Sequence, residues 1–157
     1  MSRDQMERLL EDFGKLVEIP ELKFDEDGYC CLFFDDIAIN LELDEEENRL
    51  YIYSHIGRVP EENKRDFYEM LLKANYFCFE TQGGTLGIND DAEVVMLTYH
   101  IPFSVLDLTQ FETLFGKFAD LAKKWKQKIK DFDKKEERQE KQIKGDMPNG
   151  LPTGIKV

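Results

Sequence analysis

Between residues 29 and 56, three strand-like segments follow one another across links too short to hold another element. The first, YCCLFF (29–34), is apolar on both faces. The second, IAINLEL (37–43), alternates strictly, with Ile37, Ile39, Leu41 and Leu43 on one face and Ala38, Asn40 and Glu42 on the other. The third, RLYIYSHI (49–56), sets Leu50, Ile52 and Ser54 against Tyr51, Tyr53 and His55. Asp35-Asp36 and the acidic run 44–48 supply the turns. A parallel crossover needs a dozen or more residues, so only an antiparallel meander fits.

Helical periodicity flanks the meander. Met6, Leu9, Leu10, Phe13, Leu16 and Val17 predict a first helix over residues 3–18, with Ser2 and Gln5 as a capping box and Pro20 beyond its end. A second helix is expected from Pro60, in its first turn, to about Phe77. Two further strands, TLGIN (85–89) and EVVMLTYHI (93–101), follow the turn TQGG. The last helix starts near Asp107 and Thr109 and carries an apolar stripe from Leu108 to Phe132. Gly116 lies inside it, at a cost of about 1 kcal/mol relative to Ala. The fold class is therefore α+β, α-β-β-β-α-β-β-α, with a mostly antiparallel twisted sheet and helices packed on it. Residues 1–132 form one domain. Residues 133–157 are a charged helical extension and a tail rich in Gly and Pro.

Charge narrows the function. The 157 residues carry a net −12, which disfavours a general nucleic-acid binder, whose affinity rests on neutralising phosphates with Lys and Arg. Residues 123–144 run against this trend with ten Lys/Arg and five Asp/Glu, a basic helix end on an acidic body. The N-terminal MSRDQMERLLEDFGKL is charged from its third residue, which argues against a secretory signal, and no apolar run reaches membrane-spanning length. Three cysteines, Cys30, Cys31 and Cys78, read as free thiols of a reducing cytoplasm.

Each pattern with a chemical reading fails on its own requirements. The glycines of TQGGTLGIND would need a following Lys-Ser or Lys-Thr to cradle phosphate, but Ile88 and Asn89 follow Gly87. No Lys or Arg lies between Asn75 and His100. Gly83 and Gly84 instead suit a turn after a helix end. KFDEDGYC would begin a calcium loop only with an acid at its first position and Glu at its twelfth; Lys23 and Phe34 stand there. Cys30 and Cys31 point to opposite strand faces and cannot grip one metal together. The acidic pairs fall in turns. No nucleophile, base and oxyanion hole assemble, and no cofactor or metal is expected.

Three stretches carry a family likeness. MERLLEDFGKLVEIPELKFDEDGYCCLFFDD, LLKANYF and GGTLGINDDAEVVMLTYHI stand in the order helix, proline break and strand; helix end; glycine turn and hairpin. In them the chain resembles the class I type III secretion chaperones, the family that includes the Tir chaperone, over about residues 3–132. The resemblance implies a bacterial cytoplasmic virulence protein, not an enzyme. It would bind, without ATP, an extended non-globular segment near the N-terminus of a secreted effector and keep that effector secretion-competent. It also implies a homodimer, with a heterodimer with a related chain as the variant.

In such chaperones the first helix and the sheet form the apolar grooves, and the second helix and later strands form the dimer contact. The expected partner-binding residues are Met6, Leu10, Phe13, Val17, Leu32, Phe34 and Ile39. The expected dimer residues are Phe67, Leu71, Phe77, Leu86, Ile88, Val94 and Met96. Two other readings stay open: a regulatory adaptor docking a protein or RNA through the basic extension, and a small hydrolase using His100, Cys78 or the acidic turns.

Overall fold

The computed structural model of the chain describes residues 3–145. The Ser2 capping box and the tail 146–157 lie outside these residues. The meander is β1 (Tyr29–Phe34), β2 (Ile37–Asp44) and β3 (Arg49–Arg58); β4 (Thr85–Ile88) and β5 (Val94–Pro102) complete the sheet. The strand order is β1-β2-β3-β5-β4, and all four pairings are antiparallel. β5 therefore inserts between β3 and β4, which leaves β1 and β4 as the two edges.

The alternation read from β2 and β3 decides which face is covered. Ile37, Ile39, Leu41, Leu50, Ile52, Val95 and Leu97 are nearly inaccessible. Helices α1 (Arg3–Leu16) and α3 (Leu108–Gly145) supply the matching apolar stripes, with Met6, Leu10 and Phe13 from the first and Phe111, Phe118 and Trp125 from the second. Trp125 satisfies its indole by donating to the Glu80 carbonyl at 3.3 Å. Ser54, the polar residue on the covered face of β3, donates to the Ala38 carbonyl at 2.7 Å. A buried hydroxyl so paired avoids most of its desolvation cost. Among the described residues no helix lies over the opposite face, with Phe33, Tyr51, Tyr53 and His55, and it is partly open.

Helix boundaries depart from the sequence expectation at two points. α1 stops at Leu16 rather than 18, because Glu18 turns into the left-handed region at φ 58°. Ile19 then donates to the Gly14 carbonyl at 2.8 Å and Glu18 to that of Lys15 at 3.4 Å, a Schellman ending. The second helix, α2 (Lys64–Asn75), does not start at Pro60. Val59 is tied to the sheet through the Glu93 carbonyl at 2.8 Å, so the chain passes through Pro60 before Asn63 opens the helix. At the start of α3, Asp107 and Gln110 exchange side-chain bonds with each other's backbone N–H at 2.8 and 3.1 Å, a capping box. α3 then runs unbroken through Phe132, whose ring packs edge-on to Phe67 of α2 at 5.2 Å.

The glycine turn is conformational. Gly83 has φ +92°, and its amide donates to the Cys78 carbonyl at 3.3 Å. A Cβ on Gly84 would lie 3.1 Å from the Thr81 carbonyl oxygen and 3.2 Å from that of Thr98, a tight fit against two backbone carbonyls. Asn75 anchors the same corner, its side chain bonding both the N–H and the carbonyl of Leu86 at 2.9 Å.

Candidate functional site

The last turns of α1, the edge strand β1 and the first turns of α3 do not close on one another. They leave an open groove of about 400 Å³ lined by Phe13, Val17, Ile19, Leu32, Phe33, Phe34, Asp35, Glu112, Phe115 and Gly116. Its floor is aromatic. Phe13 stands edge-on to Phe111 at 4.8 Å and beside Phe115 at 5.0 Å, and Phe34 meets Phe115 edge-on at 6.4 Å. Phe33 is 75% exposed and Phe34 44%, although they are neighbours on a strand and face opposite sides of the sheet. An edge strand with unpaired backbone groups and apolar side chains on both faces is a template for a further strand.

Charges hold the groove's upper rim. Lys123 of α3 pairs with Asp35 and lies over the Phe34 ring at 4.8 Å. Lys126 reaches the Asp36 carboxylate and carbonyl, both at 2.8 Å. The hydrogen bond from Lys126, reinforced by its charge, holds the Asp36 carboxyl below its ordinary value. Two lysines of α3 thus tie down the β1–β2 turn and fix where Phe34 sits. On the far side of the helix, Lys128 pairs with Glu80 at 2.5 Å.

A second apolar surface lies at the other end of the sheet. Past α2 the chain makes a short 3-10 turn, Tyr76–Cys78, with Phe77 and Cys78 both at positive φ. This turn presents Tyr76, Phe77 and Phe79 at 71%, 72% and 81% exposure, next to Leu72 at 71%. Ile88 on the edge strand β4 is also exposed. Positive φ at two consecutive non-glycine residues is unfavourable, and here it turns aromatic rings outward.

The residues picked from the sequence divide by burial. Val17 and Phe34 line the groove and are accessible; Phe13 and Leu32 form its floor and are buried. Met6, Leu10 and Ile39 do not line it, being packed inside the protomer's own core. Of the expected dimer residues, Phe77 and Ile88 are exposed, and Val94 and Met96 are half-buried on the sheet's open face. Phe67, Leu71 and Leu86 are core residues of the protomer. Periodicity identifies an apolar stripe but not which neighbour covers it. Ile19, Phe33, Phe115, Glu112 and Gly116 were missed on the groove, and Leu72, Tyr76 and Phe79 on the second surface. The apolarity of YCCLFF on both faces was the available signal for Phe33.

The chemical candidates stay apart. Cys30 is buried, and desolvation pushes its thiol up to about 11, away from reactivity. His100 lies against Tyr51 at 5.8 Å, on the strand next to that of His55. Among the described residues, no three His, Cys, Asp or Glu side chains gather as a metal site, and no helix is long and apolar enough to cross a membrane.

Comparison with known proteins gives this geometry a context. A sequence profile described as the Tir chaperone protein (CesT) family matches residues 8–126. No curated protein matches the chain significantly. Among solved structures, the chain superposes on the ExsC–ExsE complex with a TM-score of 0.71 at 25% identity, over 81% of this chain and 96% of that one. It superposes on the HopA1–SchA chaperone–effector complex with a TM-score of 0.64 at 20% identity, over 78% and 93%. For the Yersinia pestis type III secretion chaperone SycH in complex with a fragment of YscM2, the TM-score is 0.57 at 19% identity, over 74% and 95%. The last two likenesses concern the fold.

Proposed function

We propose that this chain, which belongs to the Tir chaperone protein (CesT) family, is a type III secretion chaperone of the bacterial cytoplasm. It binds an extended segment near the N-terminus of a secreted effector and keeps it secretion-competent without ATP. The observation that carries this is the apolar groove beside the free β1 edge, with Phe33, Phe34 and Val17 accessible. A globular protomer gains nothing from leaving such residues in water, and an extended partner can cover both faces of β1 at once.

On this reading Val17 and Phe34 contact the partner, with Phe13 and Leu32 shaping the floor beneath it. Met6, Leu10 and Ile39 support that floor from the core. The second surface, with Phe77, Ile88, Val94 and Met96 joined by Tyr76, Phe79 and Leu72, takes a second copy of the chain. Residues 1–132 are the chaperone unit, and 133–157 are an extension to it. Purification from the native cell, with identification of what co-purifies, tests the function. A secreted protein should be recovered, and limited proteolysis of the complex should leave only its N-terminal segment protected. Recovery of no secreted protein would overturn the reading.

A further inference from the structure

Gly116 is a position of α3 that the described residues of the fold do not account for. It lies inside a 38-residue helix, where glycine is the least favourable residue short of proline. A helical glycine is commonly required because another part of the chain approaches its backbone. Here the position is exposed, and a Cβ built on it would meet nothing within 4 Å. Among the described residues, nothing in the protomer needs the side chain to be missing.

The groove is what Gly116 does face. It lines that groove beside Phe34 and Phe115. Glu112, one turn earlier on the same side of α3, lines it as well and has no hydrogen-bond or ion-pair partner among the described residues. The groove's other acid, Asp35, is already joined to Lys123. No Lys or Arg is among the lining residues.

We infer that Glu112 and Gly116 select the segment the groove receives. That segment is an extended chain whose backbone crosses α3 over Gly116. It seats an apolar side chain against Phe34 and Phe115 and sets a lysine or arginine over Glu112. The inference rests on the chaperone reading above and narrows it to one partner chemistry. A missing Cβ lets two backbones approach, and a methyl group there pushes the partner off the aromatic floor beside it. A cation over Glu112 is attracted by a carboxylate that no described group of the protomer neutralises, and an acidic residue in its place is repelled.

Two labelled peptides of alternating valine and threonine, one with lysine ends and one with glutamate ends, test this on the full chain by fluorescence anisotropy. Thermal melts run alongside. The lysine-ended peptide should bind the wild-type protein at least about tenfold more tightly than the glutamate-ended one. Gly116→Ala should raise the melting temperature while weakening the lysine-ended peptide by about tenfold. Glu112→Gln should leave the melt unchanged and remove most of the discrimination. Gly116→Ala that raises the melting temperature with affinity intact would overturn the inference, since the glycine would then be only a weak point in the helix. Gly116→Ala that lowers the melting temperature would overturn it too, by giving the glycine a structural role. Failure of the lysine-ended peptide to bind wild type sinks the inference alone. The chaperone reading is decided separately, by whether a secreted protein co-purifies.

Discussion

Phe13 and Phe34 belong to the same groove, yet one substitution separates their roles. Phe13 is 2% exposed and wedged between Phe111 and Phe115, so Phe13→Asp should unfold the protomer. Losing the ring alone costs about 3–5 kcal/mol, before any buried charge is counted. Phe34 is 44% exposed, so Phe34→Asp should leave the melt nearly unchanged and abolish partner binding in a pull-down. At the glycine turn, Gly84→Ala should destabilise by about 1 kcal/mol or more, read from the urea midpoint, because the new Cβ meets two carbonyl oxygens. Cys30 links stability to pH. Its folded value is raised from 9.0 to about 11, so the folded state favours the neutral thiol. Its contribution is complete below the ordinary value and is lost as pH rises through about 11. Urea midpoints should fall over that interval in the wild type and fall less in Cys30→Ala.

Among the elements, α3 does most to define the site. Its first turns wall the groove, its middle buries Trp125, and Lys123 and Lys126 tie down the β1–β2 turn. These exposed ion pairs add little stability; their effect is to place Phe34. Three lysines of the basic stretch, 123, 126 and 128, are engaged within the chain in this way, which leaves less of its charge for an outside partner. Among the described residues, Phe132, against Phe67, is the last hydrophobic side chain of α3 packed on the core. Deleting residues 133–157 should therefore leave the circular-dichroism melt within a few degrees of the full chain and partner binding intact. A collapse of the melt would show that the extension belongs to the folding unit.

For the molecule as a whole, the question is what covers Tyr76, Phe77, Phe79, Leu72 and Ile88. Tyr76, Phe77 and Phe79 adjoin one another, with ring centroids 4.6 and 6.1 Å apart, and an exposed apolar patch of this kind marks an interaction site. On the proposed reading a second copy of the chain, in a two-fold contact, is what covers them. Light scattering on the isolated protein should give a dimer, and Phe77→Asp with Phe79→Asp should give a folded monomer. A wild-type monomer at micromolar concentration would remove the basis for this assignment.

The local signals in the sequence were enough for the elements. Strict alternation in IAINLEL and links of a few residues leave one topology for the meander, and the stripe from Leu108 to Phe132 leaves one structure for the last helix. The family likeness rested on that order, and the family match over residues 8–126 bears it out. Tertiary structure alone decided which apolar residues are core and which are surface. Met6 and Val17 sit on one amphipathic stripe, yet the first is buried under the sheet and the second lies where α1 has turned away. Periodicity records that a face is apolar, because that is a property of the chain. Whether anything covers the face depends on elements far away in sequence, here the insertion of β5 between β3 and β4 and the line of α3 across the sheet.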